Sequence, residues 1–296
     1  DIKKGAASQY VASTLNLAWP GRFAATADTV MLTRLRVKEV RSTNQYYYAR
    51  GYMSETDIAF WLVVNDTLEP GNYWHPVYMF VDTATAMIAG REIFGFPKTI
   101  GLEVPKGDEP ELGFELHTDV IRMRGDPLKY QKLFELVQPG SPDSQPVPVL
   151  NKENLGEFTT RSMWKRAFTR PPLVLPRPAA TPEIHPPYWP YADEPTAVPQ
   201  FSMLTLKSFR DAAQSGKACV QQAIGIKTLS SNAVPEVDAV PQMELRVEPC
   251  ETHPIAQEWF NFNPSKPIIS RDAYRVKLDF EIGLGTILAD TMTTEF

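Results

Sequence analysis

The sequence predicts a mainly β (α+β) protein in which antiparallel strands, joined by short polar turns, share one core with a few short helices. Three observations carry this. Several runs alternate apolar and polar residues with β-branched enrichment, the pattern of a strand with one buried face. The helical-period stretches are short and do not alternate with strands as βαβ units would. No fixed repeat and no long Gly/Ser linker divides the 296 residues, so one domain over 1–296 is expected.

Taken in order, Ser8 to Leu17 suits a short helix, ended by Trp19-Pro20-Gly21 because Pro and Gly cannot continue the helical ladder. Thr29 to Val40 (TVMLTRLRVKEV) alternates as a strand, and Gln45 to Met53, Asp57 to Val64 and Pro76 to Val81 follow as further strands. Between Thr83 and Phe94, Ala84, Met87, Ile88 and Arg91 recur at helical spacing, and Gly95 and Pro97 stop that helix. Thr99 to Val104 and Leu112 to Met123 read as strands, with Gly125-Asp126 as a turn. The stretch Pro127 to Val137 (PLKYQKLFELV) places Leu128, Leu133, Phe134 and Val137 on one helical side, so a helical insertion over about 126–138 is expected.

Pro139 to Pro148 is a loop, and 171–199 holds ten of the 27 prolines, with Tyr188, Trp189 and Tyr191 among them. Proline donates no ladder hydrogen bond, so this segment is expected to run extended over a surface, either as a rigid loop or as an arm that buries its aromatics on another subunit. Strands return at Phe201 to Leu206, Lys217 to Lys227, Gln242 to Val247 and Tyr274 to Leu278, with a possible helix near Phe209 to Ser215.

Composition excludes several classes. Thirty basic against 35 acidic residues, without a basic stripe, speak against a nucleic-acid surface. No apolar run is long enough to span a bilayer, and no secretory pattern stands at the start, so a cytoplasmic protein with no membrane partner is expected. The two cysteines, Cys219 and Cys250, are too few for a disulfide framework. His75, His117, His185 and His253 lack the spacing that brings two rings to one ion, so no metal and no cofactor is expected.

One lysine stands out by its setting. Phe94, Phe96, Pro97 and Ile100 surround Lys98, and Pro97 restricts Phe96 to extended geometry. A lysine attacks a ketone carbon only as the neutral amine. Bringing a lysine to near neutrality works against its charged form by about 4 kcal/mol, which calls for desolvation or a nearby cation. The bland alternative is a stem that lies on apolar surface with its ammonium in water.

The run Ile88-Ala89-Gly90-Arg91-Glu92-Ile93-Phe94-Gly95-Phe96-Pro97-Lys98, after the strand Val77-Tyr78-Met79-Phe80-Val81-Asp82, resembles the signature of the acetoacetate decarboxylase family. The resemblance implies a mainly antiparallel, cone-shaped β-barrel, a homo-oligomer, and Lys98 as the residue that forms an imine with a small keto-acid substrate. It further implies a carbon–carbon lyase, a decarboxylase acting on acetoacetate or a related β-keto acid. The pattern departs at Thr99, where the family's decarboxylases carry a second lysine. The family's upstream carboxylates have no visible counterpart in 59–72, which offers Phe60 and Trp61. Phe96 and Phe80 are expected to line the pocket, Arg91 and Glu92 to anchor the loop, and Thr99 to bond an intermediate or cap the next strand. Glu248, Glu251 and Glu281 are more distant acids, otherwise read as solvated charges. Two other outcomes share the lysine: aldol or dehydration chemistry on keto acids, and a barrel that binds a small ligand without catalysis.

Overall fold

A computed structural model describes residues 1–41, 51–68, 71–106, 112–138, 201–210, 218–230, 236–261, 267–270, 273–277, 280–282 and 285–291. Helices α1 (Ala6–Ser13) and α2 (Leu15–Ala18) precede β1 (Phe23–Ala25), β2 (Met31–Val40), β3 (Met53–Asp66) and β4 (Gly71–Val81). Helix α3 (Ala84–Ala89) runs into a π-helical turn (Gly90–Phe94), followed by β5 (Lys98–Ile100), β6 (Leu102–Pro105), β7 (Phe114–Val120) and β8 (Lys129–Val137). Then come β9 (Phe201–Arg210), β10 (Ala218–Ser230), β11 (Glu236–Ala239), β12 (Glu244–Val247) and a second π-helical turn (Ile255–Trp259). The chain closes with β13 (Ile268–Ile269), β14 (Tyr274–Lys277), β15 (Phe280–Ile282) and β16 (Thr286–Asp290).

Among the described residues these strands form a nine-stranded sheet, a five-stranded sheet and the pair β11–β14. The large sheet follows β1-β3-β4-β9-β10-β15, with β2 on β3, β5 on β4 and β16 on β10, and it curls into a half barrel. Pairing is antiparallel except where β4 runs parallel to β5 and to β9. The expected mainly β fold is therefore present. Pro76 sits inside β4 beside a β-bulge, where the register steps from Phe60↔Tyr78 to Trp61↔Pro76. A bulge is where a strand tolerates a residue without an N–H.

Alternation along β3 splits its side chains between two cores. Ile58, Phe60, Leu62 and Val64 face the five-stranded sheet, where they pack with Phe114, Leu116, Phe134 and Leu245. Helix α1 adds Ala7 and Val11 to that layer. The opposite face carries Ala59, Trp61 and Val63, packed with Trp74, Met79, Val81, Phe96, Met203 and Ile226 in a second cluster. Helix α1 is tied to the sheet through His75, whose Nδ1–H donates to the Leu204 carbonyl (2.8 Å) while Nε2 accepts from the Tyr10 hydroxyl (3.3 Å).

The helical insertion expected over about 126–138 is instead strand β8. The register between β7 and β8 jumps from Leu116↔Phe134 to His117↔Lys132, leaving Leu133 unpaired in a bulge. Leu133 and Phe134 are therefore both buried, which interrupts the strict alternation of a strand and imitates helical spacing. Leu128, assigned to the buried side of that helix, is exposed.

The other expectations divide by position. The helix at 84–94 and the strands over 31–40, 57–64, 76–81, 201–206 and 242–247 are present. Phe209 and Arg210 continue β9 rather than open a helix, and 211–215 lie outside the described residues. The Pro-rich segment 171–199, the loop 139–148 and most of the strand expected over 45–53 also lie outside them. No described helix is long and apolar enough to cross a membrane.

Candidate active site around Lys98

Lys98 opens β5 and is 5% exposed. The approach to it is a sequence of tight backbone devices. Helix α3 begins at Thr83, whose hydroxyl accepts from the Ala86 N–H, and it passes into the π-helical turn at Gly90. Gly95 closes that turn in the left-handed region (φ 73°), a conformation glycine adopts without steric cost. Phe96 N–H then bonds back to the Gly90 carbonyl (3.1 Å), and Lys98 N–H bonds to the Phe96 carbonyl across Pro97 (2.8 Å). This small turn aims the lysine side chain under the helix.

Gly90 makes room for that side chain. A Cβ placed on it would stand 2.5 Å from Lys98 Cδ and 2.9 Å from Cε, well inside van der Waals contact. The motif glycine is thus the floor on which the lysine stem lies.

At the end of the stem the ammonium meets two carboxylates of β3. Lys98 Nζ donates to Glu55 Oε2 at 3.0 Å and stands 3.4 Å from Asp57 Oδ1. Glu55 and Asp57 are two apart in a strand and so share a face. The same face continues into Ala59 and Trp61, and across the sheet it presents Met79, paired in register with Lys98. The Phe96 ring lies 5.9 Å from Nζ. Burial pushes the Asp57 carboxyl up to about 7; the Lys98 charge opposes this and the Glu55 charge adds to it. Asp57 Oδ1 is buried without an aligned hydrogen bond. The site therefore holds a buried amine, an ion-paired carboxylate and a second carboxyl able to exchange a proton near neutral pH.

Asp82, at the end of β4, accepts from the Thr56 N–H (3.0 Å) and so fixes the β3 backbone between the two acids. A cleft of about 220 Å³ opens beside this point, lined by Arg36, Lys38, Ser54, Glu55, Thr56 and Asp82. Glu55 is common to the cleft and to the lysine pair.

The residues expected from sequence separate cleanly. Phe96 lies in the apolar cluster beside Lys98. Phe80 does not: it belongs to the other core, where its ring packs near Phe134 and His253, because it is one residue off the face of Met79. Thr99 pairs with Phe80 in register and so faces away from the Lys98 amine. Arg91 anchors the loop through Nη1 to the Lys98 carbonyl (3.1 Å). Glu92 is exposed, and its backbone carbonyl, rather than its carboxylate, accepts from Lys207 Nζ. Glu248 pairs at long range with Arg122 and Lys132 on the five-stranded sheet, and Glu251 is exposed, so neither joins the lysine. The Glu281 side chain lies outside the described ones. Among the described residues no group of three or more His, Cys, Asp and Glu side chains is placed to hold a metal ion.

The acids missed from sequence lie just upstream of the stretch 59–72. A signal was present: two carboxylates at alternate positions leading directly into the apolar run Ile58 to Val64 share one strand face and cannot both be solvated if that face is buried.

Residues 28–122 match the family model described as acetoacetate decarboxylase. Among solved structures, the chain is similar to an acetoacetate decarboxylase from Legionella pneumophila, with 14% identity, a TM-score of 0.51, and coverage of 95% of this chain and 82% of that one. It is also similar to an acetoacetate decarboxylase-like enzyme from Sphingomonas wittichii RW1, with 13% identity, a TM-score of 0.47, and coverage of 94% and 87%. No curated protein matches the sequence. At such identities the structural likeness bears on the fold, while the matched segment contains Lys98, Glu55, Asp57 and Gly90 together. Residues 28–122, which carry Lys98, thus match the acetoacetate decarboxylase family model, and the chain shares the fold of the Legionella pneumophila structure.

Proposed function

We propose that the protein is a Schiff-base-forming carbon–carbon lyase that decarboxylates acetoacetate or a related β-keto acid through an imine on Lys98. The observation that carries this reading is the buried Lys98 amine held 3.0 Å from Glu55 and 3.4 Å from Asp57. A buried ammonium with two acids at hand can pass a proton to one of them and become the nucleophile. Asp57, pushed up to about 7, suits that exchange at neutral pH.

The neutral amine adds to the ketone carbon, and loss of water leaves a protonated imine. The bond from the α-carbon to the carboxylate then breaks, its electron pair moving to the imine nitrogen, so that carbon dioxide and an enamine form. A proton delivered to the enamine carbon restores the imine, and water releases the ketone and Lys98. Glu55 and Asp57 are the groups that would carry these protons, and their negative charge disfavours a substrate carboxylate beside them more than the uncharged carbon dioxide.

Borohydride trapping tests the reading, with acetoacetate and separately with pyruvate, followed by intact mass and peptide mapping and with Lys98→Ala as control. A reduced adduct on Lys98 and carbon dioxide release from acetoacetate are expected. An adduct without carbon dioxide would redirect the chemistry to aldol or dehydration reactions of keto acids. No adduct with either acid between about pH 6 and 9 would leave a binding barrel.

A further inference from the structure

The π-helical turn that leads into Lys98 ends on carbonyls that its own helix cannot pair, because no helical N–H follows them. Two of these find donors on β9, which lies far downstream in the chain. Thr205 Oγ1 donates to the Phe94 carbonyl, and Lys207 Nζ donates to the Glu92 carbonyl. Thr205 and Lys207 alternate in a strand and so share a face. The turn lies close against that face: a Cβ on Gly95 would stand 2.9 Å from Lys207 Cβ and 3.0 Å from its backbone nitrogen.

Thr205 is 0% exposed and pairs in register with Ile224. A hydroxyl at that depth is unfavourable unless it is hydrogen-bonded, and the Ile224 carbonyl stands farther off, at 3.4 Å, than the turn does. Packing alone would be served by valine, which has the same shape and suits a strand. From the Phe94 carbonyl the chain passes through Gly95 to Phe96, whose N–H is held by Gly90, and then to Lys98, whose N–H is held by Phe96. The seat of Phe94 therefore sets where the lysine stem begins. We infer that Thr205 is a positioning residue for Lys98: its hydroxyl, seconded by the Lys207 ammonium, seats the turn on β9 so that the amine arrives beside Glu55 and Asp57. The effect on reactivity rests on the imine reading of Lys98.

The experiment compares the unaltered chain with Thr205→Val, Thr205→Ser and Lys207→Met in two measurements, borohydride trapping of acetoacetate at Lys98 and hydrogen exchange of the Phe96 and Lys98 amides. Thr205→Val is expected to slow trapping at saturating acetoacetate about tenfold or more, with the half-saturating concentration changed less than about threefold, because a misplaced amine loses reaction geometry rather than affinity. Both amides are expected to exchange about tenfold faster, while those of β7 in the other sheet keep their rates. Thr205→Ser, which keeps the hydroxyl, should hold both readouts within about twofold of the unaltered chain. Lys207→Met, at a half-buried position, should produce the same changes at about threefold, and it decides the matter if Thr205→Val does not fold.

Unchanged trapping and exchange in the folded variants would overturn the inference. Faster exchange with unchanged trapping would overturn it too, since the turn would then loosen without moving the amine, and so would equal slowing by Thr205→Val and Thr205→Ser. If the unaltered protein forms no adduct, the imine reading falls and exchange alone decides: faster exchange in Thr205→Val upholds the seat, and unchanged exchange overturns it.

Discussion

Gly90→Ala isolates the contact on which the site depends. Gly90 has ordinary helical dihedrals (φ −62°, ψ −42°), so alanine fits its backbone and, by helix propensity alone, should stabilise by about 0.5–1 kcal/mol. The new methyl, however, would stand 2.5 Å from Lys98 Cδ. Forcing a methyl into such a packed place costs about 1–3 kcal/mol, so the net change should be a destabilisation of up to roughly 2.5 kcal/mol. In a Lys98→Ala background the stem is absent and only the propensity gain of about 0.5–1 kcal/mol remains. The double-mutant cycle should therefore show a coupling of about 1–3 kcal/mol, read from urea midpoints of the four proteins. The cost of leaving Glu55 and Asp57 without their cation is common to both Lys98→Ala proteins and cancels. Displacing the amine by about an ångström should also slow borohydride trapping with a keto acid by up to about a hundredfold. Equal stabilisation by alanine in both backgrounds, with trapping unchanged, would refute the packing argument.

Two buried titratable groups should give pH profiles of opposite sign. Asp57 has its carboxyl pushed up from 3.8 to about 7, so the folded state holds more protons than the unfolded one between those values, and this group's effect on stability worsens as pH rises. The loss between pH 5 and 7 is about 2 kcal/mol, and Asp57→Asn should remove it. His75 is the reverse case: burial pushes its ring from 6.5 down to about 4, so the unfolded state binds more protons and stability falls as pH drops through that range. The loss from pH 7 to 5 is again about 2 kcal/mol, and His75→Gln should abolish it. Because the two slopes oppose each other, urea denaturation of the unaltered protein should vary little from these groups over pH 5 to 7. Each substitution should expose the slope of the other; parallel profiles for both variants would contradict the assignment.

Much of the β architecture was legible because strand alternation and turn residues are local signals. The stretch Asp57 to Val64 reads as a strand from its own composition, and the run from Ile88 to Lys98 identifies the lysine by contiguous residues. Where the local signal was ambiguous, tertiary pairing decided. The bulge at Leu133 places neighbouring residues in one core and so disguises β8 as a helix. A shift of one residue reverses a strand side chain's direction, which is why Phe80 lies in the core between the sheets and Met79 in the cluster that holds Phe96.

Residues adjacent in the chain sufficed for the strand-rich class and for the stop at Gly95 and Pro97 that ends the helix before Lys98, whereas the place of Gly90 beneath the lysine stem came from the fold. Only the tertiary structure decided which acids meet the amine. Glu55 reaches Lys98 across 43 residues of chain through the registers of β3 on β4 and β4 on β5, and a register is set by how whole strands bury their faces, not by any residue within the motif.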